Sequence, residues 1–242
     1  MIMVTYVIGD IHGNFLGLED VLKKCNFKKA DTLISLGDFC DGGCRTREVI
    51  DRLLKVPKLI NVLGNHDAWA GHWMKTGVEY PAWWHQGGMR TAESYNFDYK
   101  SVPQSHIKFI EEAVLYYLDD QNRVFVHGGF NPNKPIAEQS IDVLTWDRDL
   151  LCDYAPKHII EGFKHVFVGH TTTQHFGNIL TIKNCLEPLT FNNLTAMDTG
   201  GGWDGRLSVM DVDTFEFWQS DISANQQNAL KRLEGLKFGS FS

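Results

Sequence analysis

LISLGDFCDGG, residues 33–43, decides how this chain is read. A short apolar run reaches Gly37, then two carboxylates, Asp38 and Asp41, then Gly42 and Gly43. The run has the character of a buried strand, and the loop after it holds too much glycine to begin a stable helix. A strand that ends this way presents two acids at its carboxyl end.

The same grammar recurs on both sides. VTYVIGDIHG (4–13), KLINVLGNHD (58–67), RVFVHGG (123–129) and HVFVGHTTT (165–173) each run from β-type residues into glycine beside a polar group. The runs are short and nearly continuously apolar, as in strands buried on both faces. FLGLEDVLKKC (15–25) places Leu18, Val21 and Leu22 on one helical face, and TREVIDRLLK (46–55) does so with Val49, Ile50, Leu53 and Leu54. Alternation to about residue 66 predicts right-handed βαβ units and an α/β fold. Ligands of such sheets bind at the carboxyl ends of the strands, where all these polar groups fall.

Residues 68–121 differ. They are dense in tryptophan (Trp69, Trp73, Trp83, Trp84, beside His85), and SHIKFIEEAVLYYL (105–118) reads as a helix. We expect a mostly helical insertion whose large aromatics pack a cap; the alternative is an aromatic wall beside the site. Gly87 and Gly88 read as a turn. LTAMDTGGGWDGRLSVMDVDTFEFWQSD (194–221) reads as antiparallel strands and a turn, and the end from about Asn225 as a helix that frays. No repeat is visible, so the expectation is one domain over 1–242 carrying that insertion.

Of the 242 residues, 43% are hydrophobic and 22% charged, which argues against disorder. A net charge of −7 disfavours nucleic acid or an anionic membrane as partner. The start, MIMVTYVIGD, lacks a basic region and meets glycine and aspartate too early for a secretory signal, and no apolar run is long enough to span a membrane. Cys25, Cys40, Cys44, Cys152 and Cys185 form no framework. Cys40 and Cys44 alone have a zinc-like spacing without a second pair, so reduced thiols in a cytoplasmic protein are the better account.

Each polar strand end has an ordinary explanation: an aspartate there often caps the next helix, and a single histidine is usually a core residue. Together, Asp10, His12, Asp38, Asp41, Asn65, His66, Asp67, His127 and His170 come from five strand ends and should meet in one cleft. Mixed oxygen and nitrogen donors suit Mn²⁺, Fe or Zn²⁺.

GDIHG, GDFCDGG, GNHD, VHGG and GHT, in this order over residues 9–171, resemble the signature motifs of the calcineurin-like metallophosphoesterases. Within them the chain is most similar to the phosphoprotein phosphatase branch, with its bacterial and bacteriophage lambda type serine/threonine phosphatases. The resemblance implies two packed mixed β-sheets flanked by helices, an αββα sandwich with two divalent metals, Mn²⁺ foremost, at one end. It implies Asp10 and His12 on the first metal, Asp38 bridging, and Asn65, His127 and His170 on the second. It makes His66 the proton donor to the leaving oxygen, Asp41 its carboxylate partner, and a hydroxide activated between the metals the nucleophile on a phosphomonoester. The implied partner is a phosphorylated protein or, alternatively, a small phosphoester such as diadenosine tetraphosphate. A non-catalytic scaffold of this fold is less expected, because His66, Asp41 and every ligand are kept.

One departure stands out. The family motif usually has arginine where this chain has Gly42, and the eukaryotic branch usually has another where this chain has Leu63. Such arginines grip phosphate oxygens. Arg45 and Arg148 are the candidate replacements, with Arg47 a weaker one; Trp146 beside Arg148 suggests a packed loop.

Overall fold

The computed structural model describes residues 3–176 and 185–238. Strands β1 (Thr5–Ile8), β2 (Thr32–Ser35) and β3 (Leu59–Asn61) run parallel, joined by helices α1 (Phe15–Lys24) and α2 (Thr46–Leu53). Leu18, Val21 and Leu22 of α1 and Val49, Ile50 and Leu53 of α2 are buried, as their spacing predicts; Leu54 lies just past the helix and is exposed. Asn14 accepts the amide of Gly17 at 2.9 Å and so begins α1.

The second sheet has the order β4-β5-β6-β8-β7: β4 is Tyr116–Leu118, β5 Arg123–Val126, β6 His165–Val168, β7 Leu189–Phe191 and β8 Leu194–Ala196. The chain then returns to the first sheet, where β9 (Ser208–Asp211) pairs antiparallel with β1 and carries β10 (Phe217–Gln219) at the edge. Two expectations need correction. SHIKFIEEAVLYYL is not one helix: α6 (Gln104–Glu111) stops, Val114 bridges to Val62, and Tyr116–Leu118 becomes the edge strand β4. Backbone pairing with Val62 and β5 draws this β-favouring stretch out of the helix. The helical insertion therefore ends short of residue 116. The tail is also not wholly antiparallel, because β8 pairs parallel with β6 in the second sheet.

Both faces of each central strand are covered, which explains the continuous apolar runs. Val7, Ile34, Phe125 and Phe167 point between the sheets, where the two phenyl rings stack with centroids 5.0 Å apart. Their neighbours Tyr6, Ile8 and Leu33 face α1 and α2, while Val124, Val126, Val166 and Val168 face the other outer layer.

The insertion opens with α3 (Asn65–Thr76), continues through a short helix α4 (Pro81–Trp83), a wide turn at Trp84–Gly88 and helix α5 (Met89–Ser94), and closes with α6. Trp73, Trp83 and Tyr95 are buried in the same core as α1 and α2, so packing is the main work of these aromatics. Helix α7 (Ile141–Trp146) follows β5, and α8 (Ala224–Phe238) ends the described chain; the fraying expected after it lies outside the described residues. No described helix is long and apolar enough to cross a membrane.

Candidate active site

The candidate ligands and Asp41 all sit where strands end. Asp10 and His12 follow β1, Asp38 and Asp41 follow β2, Asn65 begins α3 after β3, His127 follows β5 and His170 follows β6. Four of them, His12, Asp38, Asp41 and His170, hold positive φ of 46°, 50°, 71° and 62°. Such a backbone is costly for a side chain with Cβ and persists where surrounding contacts over-determine it. The His12 amide is held by Asp38 O, the Asp41 amide by Thr91 Oγ1 and the His170 amide by the Asp10 carboxylate, while Asp67 holds Asp38. The buried Asp67 carboxylate accepts the amides of Asp38, Phe39, Cys40 and Gly64 at 2.7–3.1 Å, tying the loop after β2 to the start of α3. Asp38 in turn accepts the amide of His66 at 3.0 Å. Gly64 lies so close to the Asp38 carboxylate that no Cβ fits there.

The histidines are aimed by backbone carbonyls. His12 Nδ1 donates to Cys40 O and His127 Nδ1 to Leu36 O, both at 2.8 Å, so each presents Nε2 to the cleft. His12 Nε2 lies 3.7 Å, and His127 Nε2 3.3 Å, from Asp38 Oδ2. His127 Nε2 is also 2.9 Å from Asn65 Oδ1. Two ligand groups result, Asp10–His12–Asp38 and Asp38–His127–His170, with the donor atoms in each within 4.8 Å of one another and Asp38 common to both.

Three observations fit this cluster to divalent cations. The donors are the hard oxygens and imidazoles that such ions take. Among the described residues His170 Nε2 is buried without a hydrogen-bond partner, an orphan that a metal would satisfy. The electrostatics also call for positive charge. Burial and the neighbouring Asp198 push Asp10 well up, and burial and Asp38 raise Asp67 to about 7. Burial works against a charged His127, yet the Asp38 carboxylate outweighs it and raises that imidazole to about 10. His170, buried and facing the His127 charge, falls to about 3.

Beside the cluster, His66 Nδ1 lies 2.7 Å from Asp41 Oδ2. Burial disfavours the His66 imidazolium, but Asp38 and the Asp41 hydrogen bond raise it to about 9. The cleft in front of His12, Asp38, Asn65, His66 and His170 holds about 250 Å³ and is also lined by Gln86, Arg148 and Trp203. Of the proposed replacement cations only Arg148 reaches it, with Nη1 donating to Thr171 Oγ1 at 2.7 Å. Arg45 does not turn back into the cleft: it pairs with Glu48 at 3.0 Å and lies over the Phe15 ring, held by its i,i+3 partner along α2. Arg47 is exposed. Trp146 is 40% exposed, so its loop is less packed than expected; its edge meets Trp69 and His170.

Asp198 was not foreseen. It is buried, lines the cleft, and burial raises its pKa. The signal was in the sequence: Asp198 follows β8 and precedes Thr199-Gly200, repeating the strand–acid–glycine grammar of the other sites.

This fold and cluster define a class: an α/β protein of two packed mixed sheets whose site fits a pair of divalent ions. The chain belongs to the calcineurin-like phosphoesterases, whose family model matches residues 3–193. Serine/threonine-protein phosphatase 2 of Salmonella typhimurium is 27% identical over 219 residues, covering 86% of this chain and 92% of its own. The symmetrical bis(5'-nucleosyl)-tetraphosphatase of Actinobacillus pleuropneumoniae is 43% identical, but over 68 residues only, 27% of this chain and 25% of its own. A metallophosphoesterase from Sphaerobacter thermophilus shares the fold, with a TM-score of 0.59 at 17% identity over 96% of this chain and 95% of its own. The chain is a hydrolytic phosphatase of this family, which works through a dinuclear divalent metal centre.

Proposed function

We propose that this chain is a serine/threonine protein phosphatase. In this reading two divalent cations, Mn²⁺ foremost, are held by Asp10, His12, Asp38, Asn65, His127 and His170. The observation that carries the proposal is Asp38, shared by two ligand groups while the His66–Asp41 pair opens onto the same cleft. The near full-length likeness to a serine/threonine phosphatase supports a phosphoprotein substrate. The five free thiols fit a reducing cytoplasm. The pairing of β1 with β9 supports one domain over the whole chain.

Bound there, the cations would lower the pKa of a water molecule and offset charge on the phosphoryl oxygens. The protein's own groups do the rest. Arg148 is placed to grip a free phosphoryl oxygen. Asp41 orients His66 and favours its protonated form, so that His66 can pass a proton to the serine or threonine oxygen as its bond to phosphorus breaks. Water supplies the new oxygen on phosphorus, and the products are alcohol and phosphate without a covalent enzyme intermediate.

A second reading, hydrolysis of dinucleoside polyphosphates, is favoured by Trp146 and Trp203, each 40% exposed beside the cleft and able to stack a base. Phosphate release by Mn²⁺-loaded protein, with phosphoserine peptide and diadenosine tetraphosphate side by side and an EDTA-stripped control, tests both. Faster, metal-dependent turnover of the peptide is expected. Faster turnover of the dinucleotide replaces the first reading by the second, and no metal-dependent turnover of either overturns both.

A further inference from the structure

The Asp41 carboxylate has more partners than His66. Its Oδ2 accepts the Trp83 indole N–H at 2.8 Å besides its contact with His66, and its Oδ1 accepts the Thr91 hydroxyl at 2.7 Å. Thr91 Oγ1 also accepts the Asp41 amide at 2.8 Å and lies 3.1 Å from Thr46 Oγ1. Asp41, Trp83 and Thr91 are each fully buried. Asp41 thus reaches His66 from a backbone at φ 71°, with both carboxylate oxygens and its own amide held by the insertion.

We propose that Trp83 and Thr91 are positioning residues for proton transfer: they clamp the plane of the Asp41 carboxylate, and through it the ring of His66. The proposal rests on the reading of His66 as the proton donor. The clamp has a reason. A buried carboxylate bonded only to a histidine can rotate about its last torsion, and the imidazole swings with it. An acid that must meet one leaving oxygen loses rate when its ring is displaced by a fraction of an ångström. Three donors on two oxygens leave one plane open to the carboxylate.

Trp83 is itself fixed. Gly88 lies against the indole so closely that a side chain there would enter the ring, and Trp73 packs with its ring centroid 5.8 Å away. The turn between α4 and α5 holds the indole in place, so the tryptophan-rich insertion serves as the mount of the acid as well as a cap. This also sorts its aromatics: Trp83 carries a polar contact to the dyad, whereas Trp73 and Tyr95 make none to Asp41 among the described residues.

The test compares an alkyl phosphate, whose leaving oxygen needs a proton, with p-nitrophenyl phosphate, whose leaving oxygen does not. Trp83→Phe keeps an aromatic ring and removes the N–H; Thr91→Val keeps shape and removes the hydroxyl. Each is expected to lower kcat on the alkyl substrate about tenfold, part of the ~10²–10⁴ that a general acid contributes, with KM and the p-nitrophenyl rate nearly unchanged. Thr91→Ser should restore the alkyl rate. Trp73→Phe, which disturbs the same packing, should lower Tm without changing the ratio of the two rates, and His66→Asn should show the largest selective loss.

Equal losses on both substrates in Thr91→Val, or a ratio in Trp83→Phe no different from Trp73→Phe, would reduce the clamp to packing. If Trp83→Phe does not fold, the two Thr91 variants settle the matter alone. If His66→Asn shows no selectivity, the donor role of His66 falls first, and the inference with it.

Discussion

Position 42 explains why the family arginine has no place here. Gly42 sits at φ 65°, a conformation that resists side chains, and a Cβ on it would stand 2.8 Å from Gly202 O. From the other side Gly87 packs so tightly that its own Cβ would lie 2.6 Å from the Gly42 amide. The turn of the insertion thus covers the position, and Gln86 from that turn lines the cleft with a neutral amide. Gly42→Arg is therefore expected to cost at least ~1–2 kcal/mol of stability through the left-handed backbone alone, and to leave KM for a phosphomonoester no lower than before. Thermal unfolding and steady-state kinetics check both parts; a stable variant with a lower KM would show that the turn yields to a restored clamp.

Among the connecting elements, the end of α7 carries the one candidate cation that reaches the cleft. Trp146 closes the helix and Asp147 accepts the amide of Leu150 at 2.9 Å, which turns the chain so that Arg148 lies over His170 and Thr171. Arg148→Ala should raise KM about tenfold, the worth of one charge-assisted hydrogen bond of ~1.5 kcal/mol, with kcat little changed. An unchanged KM would make Arg148 a surface residue bonded to Thr171. Element α2 shows the opposite outcome for Arg45: with Glu48 one turn ahead and Phe15 beneath it, the guanidinium is satisfied before it can turn toward phosphate.

Across the whole molecule, the site depends on two sheets keeping their strand ends level. Asp10, Asp38 and Asn65 hang from one sheet and its connections, His127 and His170 from the other, and the shared layer of Val7, Ile34, Phe125 and Phe167 sets the spacing between them. Phe167→Ala is expected to cost ~3–5 kcal/mol, because the ring is fully buried and stacked on Phe125. Denaturant unfolding measures it, and a loss below ~1 kcal/mol would mean that the sheets are not held by this layer. The same burial explains the four strained site residues: a rigid pair of sheets can hold backbone that a loose loop would relax.

How much was legible follows from the range of each interaction. The strands, α1, α2 and the polar strand ends were readable because apolar periodicity and the glycine–acid grammar are local, and each was written in a stretch of about ten residues. That the ligands meet follows nearly as directly, since strand ends of one layered fold share an edge. The break between α6 and β4, the parallel pairing of β8 with β6, and the outward turn of Arg45 were decided by partners distant in sequence or by competition for a side chain, neither of which leaves a periodic trace. Asp198 lay between these cases, its grammar visible but its chemistry supplied only by burial beside Asp10 and His12. The sequence by itself determined which residues stand at the strand ends; the tertiary structure decided which of them share a cleft with Arg148 and how Trp83 and Thr91 hold Asp41, because hydrogen bonds spanning 42 and 50 residues exist only once the sheets have packed.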